Sequence, residues 1–249
     1  MSGWVAVAGL GPGDEALVTP EVRAVLERAS DAVGYGPYLR RLAPREGLRL
    51  HASDNRAELD RAAHALAMAA EGRRVVVLSS GDPGVFAMAA ALFEALETGP
   101  AAWRGLDIRV LPGITAMLAA AAKAGAPLGH DFCAINLSDN LKPWALIKRR
   151  LRLAVEADFA IALYNPRSQA RPDGFVRTLA LLREHCEPER WLLFARAVST
   201  PAEDLQTVPL AEARPEMADM RTLVIVGSSR TRVIECGAQN RLYTPRWAQ

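Results

Sequence analysis

The residues that could do chemistry gather in three short runs. Residues 9–14 read GLGPGD, residues 79–84 read SSGDPG, and residues 112–115 read PGIT. Glycine lets a backbone approach a ligand closely or take a positive φ. A carboxylate such as Asp82 in such a turn can accept hydrogen bonds from ribose hydroxyls or from an amine. Each run also has a plainer reading. GLGPGD can be a tight turn that holds nothing, and Asp82 with Pro83 can cap a helix and fill its first position. PGIT can simply open a helix with Thr115 as its cap. Capping does not explain Gly81 and two serines at a strand end, and three such turns together favour a shared pocket.

Something must place those turns side by side. Each follows an apolar, β-branched stretch: WVAVA, RVVVL and IRVL. In an open α/β sheet, small ligands bind beyond the carboxyl ends of the strands. The first half alternates accordingly, with strands at 3–9, 31–35, 73–78 and 107–111. Helices are expected at 20–29, 55–70, 84–98 and 115–124. That alternation predicts βαβ units and a mostly parallel sheet. The second half has strands at CAINLS, DFAIAL, WLLFA, DLQTVPL and TLVIVG, and helices at 143–156 and 173–185. Its short strands and longer loops predict a mixed sheet. The fold class is therefore α/β in two α/β domains, residues 1–114 and 115–249, the boundary falling within 113–127.

Several chemistries are excluded. A dinucleotide fingerprint needs glycine where Asp14 stands and an acid at the end of the second strand, which closes on Tyr35-Gly36. Pro12 removes a backbone donor that an anion-binding loop would use. There is no nucleophile elbow, phosphate-loop lysine motif or zinc-protease motif. Cys133, Cys186 and Cys236 are odd in number and far apart, and the four histidines are scattered, so no metal site is expected. Thirty basic against 28 acidic side chains leave a net charge of +2, which predicts no nucleic-acid partner. The absence of a long apolar run or a basic leader predicts a cytoplasmic protein with no membrane partner. Loop residues His130, Asp131, Asp139 and the arginines after LYNP, Arg167 and Arg171, read as either turn-formers or site groups. The run of Lys148, Arg149, Arg150 and Arg152 reads as a solvated helix face.

The set GLGPGD, GDPG, PGITA and a strand ending in LY resembles, in that order along nearly the whole chain, the tetrapyrrole methyltransferases that use S-adenosylmethionine. The longer strings VGYGPYL, SSGDPGVFAMAA, GAPLGHDFCAINLSD, LYNPRSQAR and TLVIVGSSRTR are most similar to members that methylate a precorrin in cobalamin biosynthesis. The resemblance implies S-adenosylmethionine as cofactor, S-adenosylhomocysteine as product, and an active-site cleft between the two domains. It also implies a homodimer and transient contacts with neighbouring pathway enzymes. Carried onto this chain, it implies cofactor contacts at Pro12, Gly81, Asp82, Val85, Thr115, Ala116, Asn165 and Ala197. Asn165 stands where relatives often carry methionine. Family members acting on uroporphyrinogen often place an aspartate after the second-strand tyrosine; Gly36 occupies that place here.

For the precorrin substrate, the implied reaction is methylation at carbon 17 coupled to ring contraction. An enamine-like carbon is already nucleophilic, so alignment and exclusion of water supply much of the rate. Contraction needs a general base, for which the loop residues Asp54, His130, Asp131 and Asp139 are candidates. The substrate carboxylates want cations, for which Arg56, Lys142, Arg167, Arg171 and Arg230 are candidates. The alternatives are a cobalt-loaded macrocycle, a macromolecular substrate, or a non-catalytic tetrapyrrole carrier.

Overall fold

The computed structural model describes residues 3–54, 57–237 and 239–247. The chain divides into two compact units, Met1–Thr115 and Ala116–Gln249.

Unit 1 runs β1 (Trp4–Gly9), α1 (Pro20–Arg28), β2 (Asp31–Tyr35), α2 (Gly36–Leu39), β3 (Arg49–Ser53), α3 (Glu58–Ala70), β4 (Arg74–Ser79), α4 (Met88–Thr98) and β5 (Asp107–Leu111). The strands form one sheet in the order β3-β2-β4-β1-β5, every pair parallel. The central strands read as unbroken apolar runs because both faces are covered. Val5–Ala8 and Val75–Leu78 are fully buried. Their alternate side chains feed two cores. Ala6, Ala8, Val76 and Leu78 meet α1, while Val5, Val7, Val75 and Val77 meet α3 and α4. Thr19 caps α1 by accepting from the Val22 amide, and Pro20 fills its first turn.

Unit 2 runs α5 (Ala116–Ala124), β6 (Gly125–Ala126), β7 (Phe132–Asn136), α6 (Trp144–Glu156), β8 (Ala160–Tyr164), α7 (Gly174–His185), β9 (Trp191–Arg196), β10 (Asp204–Pro209), β11 (Thr222–Val226), β12 (Arg232–Cys236) and β13 (Gln239–Tyr243). Its main sheet is mixed, in the order β10-β9-β11-β8-β7, with β7 parallel to β8 and the other pairs antiparallel. Helices α6 and α7 bury Ile147, Leu151, Phe175, Leu179 and Leu182 in the core beneath it. A small sheet, β12-β13-β6, lies apart from the main one.

Beyond the short α2 and β6, which no sequence pattern announced, other features depart from the sequence expectation. Edge strand β3, with sequence RLHAS, is too polar and exposed to show an apolar period, yet it pairs with β2 along its length. The hairpin of β12 and β13 lacks one for the same reason. Helix α4 begins at Met88 rather than 84, because a turn from Asp82 to Val85 and a left-handed Phe86 (φ 53°) come first.

The start of β2 carries a buried carboxylate. Asp31 has no exposed surface and takes His51 Nε2 at 2.8 Å, Arg73 Nη2 at 2.7 Å, Arg49 Nε at 3.2 Å and the Ser30 hydroxyl at 2.8 Å. Burial alone would raise its pKa. Hydrogen bonds from His51 and Ser30 and the charges of Arg73 and Arg49 outweigh that and hold it below the usual carboxylate value. The stabilisation is therefore complete above the unfolded-state pKa of about 3.9 and is lost as pH falls through the lower folded-state value. Asp31→Asn is expected to cost about 3 kcal/mol at pH 7, read by urea unfolding. The deficit should shrink at acid pH; a pH-independent deficit would remove the ionic explanation.

Candidate functional site

In unit 1 the first two glycine-rich turns are stapled to each other. Strands β1 and β4 are neighbours, but the chain leaves β1 toward β2 and leaves β4 toward β5, on the other side of β1. The two connections cross to opposite faces of the sheet, α1 on one and α4 on the other. Both turns therefore stay at the carboxyl ends of the strands, the edge at which open α/β sheets bind ligands. Leu10 donates its amide to the Ser79 carbonyl at 2.9 Å, and Gly11 and Gly81 exchange amide bonds at 3.2 and 2.9 Å. The third turn packs backbone against backbone on both. A Cβ added at Gly113 would lie 2.2 Å from the Gly81 carbonyl oxygen and 2.8 Å from that of Gly9.

Asp82 brackets this arrangement. Its Oδ1 accepts from the Gly84 amide at 2.7 Å and its Oδ2 from the Gly113 amide at 3.1 Å. It therefore ties the second turn to the third instead of capping the following helix, and Pro83 precedes α4 by a full turn. Arg41 braces the first turn from outside, donating from Nη2 to the Leu10 carbonyl at 2.7 Å and from Nε to Glu15 at 3.0 Å. Pro12, Gly81 and Val85 are partly exposed on these turns, and Thr115 is buried.

Three of the four left-handed non-glycine residues described in unit 2 lie at one end of its main sheet; the fourth, Asp158, precedes β8 at the other. Asn165 (φ 52°), Ala197 (φ 48°) and Ser199 (φ 61°) follow the carboxyl ends of β8 and β9 in the left-handed region. Each such non-glycine residue costs about 1–3 kcal/mol, and residues of this kind cluster where a ligand needs the backbone. Asn165 donates its side-chain amide to Asn136 Oδ1 at 3.1 Å, and that oxygen also takes the Ser138 amide at 2.9 Å. The Ala197 amide bonds to the Arg221 carbonyl at 2.8 Å. The Ser199 hydroxyl is buried with no partner among the described residues. Tyr164 Oη accepts from the Met117 amide at 3.2 Å, which draws the start of α5, and Ala116 with it, to this same end.

The remaining sequence candidates fall into two groups. Asp54 follows β3, at the carboxyl ends of the unit 1 strands, the end that carries the glycine-rich turns, while Arg56 lies outside the described residues. Asp139, Lys142, Arg167 and Arg171 sit on loops leaving β7 and β8, at the Asn165 end. Asp139 and Arg171 face each other at 4.0 Å. Burial, helped by Arg150, pushes the Lys142 ammonium below its usual pKa. His130 and Asp131 instead precede β7, a strand length of about 15 Å from that end. Arg230 lies at the far end too: it stacks over Trp247 at 4.5 Å, and its neighbour Ser229 bonds to Asp158 ahead of β8. The geometry thus separates His130, Asp131 and Arg230 from Asn165 and Ala197. A parallel pair puts a residue before a strand and one after it at opposite ends, which loop membership alone does not reveal.

Arg41, Asn136 and Tyr164 were not singled out as supports. Only the LY string hinted at Tyr164; Arg41 and Asn136 act across 31 and 29 residues of sequence on partners that no local pattern names. Among the described residues, no group of acids, histidines and cysteines could hold a metal, and no helix is long and apolar enough to cross a membrane.

Comparison with known proteins places these turns in context. The profile of the family described as Tetrapyrrole (Corrin/Porphyrin) Methylases matches residues 5–214. The chain is 52% identical over 248 residues to a precorrin-3B C(17)-methyltransferase from Sinorhizobium sp., covering 99% of this chain and 98% of that one. It is 35% identical to a probable cobalt-factor III C(17)-methyltransferase of Salmonella typhimurium, covering 92% and 94%. Against the cobalamin biosynthesis protein CobIJ of Mycobacterium bovis, 47% identical, it spans 48% of the longer protein. Among solved structures, the methyltransferase CobJ superposes with a TM-score of 0.94 at 67% identity, covering 98% of this chain and all of that one. The uroporphyrin-III C-methyltransferase of Thermus thermophilus, solved with S-adenosylhomocysteine, shares the fold at a TM-score of 0.69 and 24% identity, covering 90% of this chain and 97% of that one.

Proposed function

The chain belongs to the tetrapyrrole (corrin/porphyrin) methylases, and we propose that it methylates precorrin-3B at carbon 17, with ring contraction to precorrin-4, in cobalamin biosynthesis. The observation that carries the substrate is the 52% identity, end to end, with a precorrin-3B C(17)-methyltransferase. S-adenosylmethionine supplies an electrophilic methyl group on a sulfonium. The residues present suit such a guest: the Gly9–Gly81–Gly113 contact leaves backbone where side chains would intrude. Ala197, in the left-handed region, lies two residues from a Ser199 hydroxyl that is buried without a partner among the described residues, at the sheet end that also carries Asn165.

On this reading, Pro12, Gly81, Asp82, Val85 and Thr115 of unit 1 and Ala116, Asn165 and Ala197 of unit 2 hold the cofactor. Their backbone carbonyls and modest polarity suit a cation whose charge disappears during transfer. Lys142, Arg167 and Arg171 take substrate carboxylates. Asp54 and Asp139 are the better-placed bases for removing a hydroxyl proton from the macrocycle during contraction. We take the working form to be a cytoplasmic homodimer in transient contact with neighbouring pathway enzymes; light scattering tests the dimer.

The test is mass spectrometry of products after incubation with methyl-labelled S-adenosylmethionine and either precorrin-3B or cobalt-factor III. Label in the metal-free product is expected. Label only in the cobalt product would move the protein to the cobalt-containing route, for which the Salmonella relative provides the precedent. No label in either product, together with no S-adenosylhomocysteine binding by calorimetry, would leave a non-catalytic carrier; cofactor binding without label would mean a different substrate within the family.

A further inference from the structure

Within unit 1, beside edge strand β3, a cavity of about 330 Å³ is walled by Val33, His51, Ser53, Ala57, Asp60 and Arg61, with Ala52 and His64 completing it. Specific small-ligand pockets begin at about this size. Its unusual member is Arg61. The residue is 4% exposed, yet among the described residues no carboxylate lies within ion-pair distance of it. Its partners are all uncharged: Ser53 Oγ at 2.7 Å from Nε, the Asp54 carbonyl at 2.6 Å from Nη2, and Met88 Sδ at 3.2 Å from Nη1.

A guanidinium carries five N–H donors in a fixed fork. Three are engaged, and one on each terminal nitrogen has no acceptor among the described residues. Burying a cation without a counter-charge is costly, and burial does lower its pKa, with Glu58, Tyr38 and Asp54 offsetting only part of that. The paired spare donors match the two oxygens of a carboxylate. The other charged and titratable groups on the wall are Asp60 and His64, both exposed, and His51, already bonded to Asp31. Arg61 also touches Ser53 and Asp54, at the carboxyl end of β3, and Met88, the first residue of α4 after the GDPG turn.

We propose that this cavity is a carboxylate pocket in which Arg61 receives one acidic side arm of the macrocyclic substrate. The assignment rests on the substrate reading above. It makes Arg61 a substrate-binding residue that orients the ring by one of its arms.

The test uses the whole protein with uroporphyrin III, a stable polycarboxylate tetrapyrrole, followed by fluorescence, and with succinate followed by calorimetry. Arg61→Met removes the fork. Ala52→Leu fills the cavity from an exposed position on the edge strand and leaves Arg61 intact, so the test survives if the first variant fails to fold. Both variants are expected to weaken uroporphyrin III binding about 10–100-fold, the range of a charged hydrogen-bonded contact. Affinity for S-adenosylhomocysteine should stay within about twofold, as expected for binding lost at one site. Loss of succinate binding with uroporphyrin III binding intact would assign the pocket to a free carboxylate and overturn the substrate arm. Variants that match wild type toward both probes would overturn the pocket itself. A wild-type protein that binds neither S-adenosylhomocysteine nor uroporphyrin III would overturn the substrate reading and take the arm assignment with it.

Discussion

Gly113→Ala is expected to reduce methyl transfer by about 100-fold or more, the loss that a reacting group misplaced by about 1 Å produces. The added Cβ would sit 2.2 Å from the Gly81 carbonyl oxygen and 2.8 Å from the Gly9 carbonyl oxygen. Neither atom is the mobile end of a side chain. Gly81 O is held by the Gly11 amide, and Gly9 ends a strand paired on both sides. Relief therefore requires the third turn to move about 1 Å away from the first two, to reach ordinary contact distance. The stability loss from such overpacking is about 1–3 kcal/mol, which leaves a folded protein to assay. Gly105→Ala, where an added Cβ meets nothing within 4 Å, is the control. Single-turnover kinetics and calorimetry with S-adenosylhomocysteine decide the matter. A Gly113→Ala enzyme with wild-type affinity and rate would show that the packed turns do not form the site.

Asp82→Asn should have the next largest effect, for a different reason. One carboxylate accepts two backbone amides, from Gly84 and from Gly113. Asparagine keeps the shape but offers one acceptor, so one of the two amides would face an NH₂ group. Leaving one such group unsatisfied costs about 1–3 kcal/mol, or several degrees in Tm at about 2–4 °C per kcal/mol for a chain of this size. The S-adenosylhomocysteine Kd should rise about tenfold, equivalent to about 1.4 kcal/mol, as the third turn loosens. Bracketing predicts that Tm and affinity fall together. A large loss of affinity at unchanged Tm would mean instead that the carboxylate touches the ligand directly.

Much of the fold was legible because burial on both faces writes itself into the sequence. WVAVA and RVVVL read as strands since parallel strands between two helical layers have no polar side, and TLVIVG does so in the second sheet. Helix α1 was legible at 20–29, and the structure adds Thr19 as its cap and Pro20 in its first turn, both local roles. Strand β3 was not, because an edge strand is paired by its backbone and its side chains need not be apolar. The true start of α4 was hidden for a related reason: Asp-Pro-Gly serves equally as a helix cap or as a turn, and the distant Gly113 amide makes it a turn.

The sequence by itself determined the kind of site: three glycine-rich turns at strand ends, without metal ligands or a hydrolytic nucleophile, in an order that resembles one family. These are short-range properties, set by residue types within a few positions of one another. Tertiary structure decided which candidates can work together. It bound Gly11 to Gly81 and seated Gly113 against Gly9 and Gly81. It put Asp139, Arg167 and Arg171 at the Asn165 end of a sheet and His130, Asp131 and Arg230 at the other. It also buried Arg61 with no carboxylate within ion-pair distance among the described residues. Each of these follows from strand order and direction, which arise from packing between segments tens of residues apart and leave no trace in any single stretch of the chain.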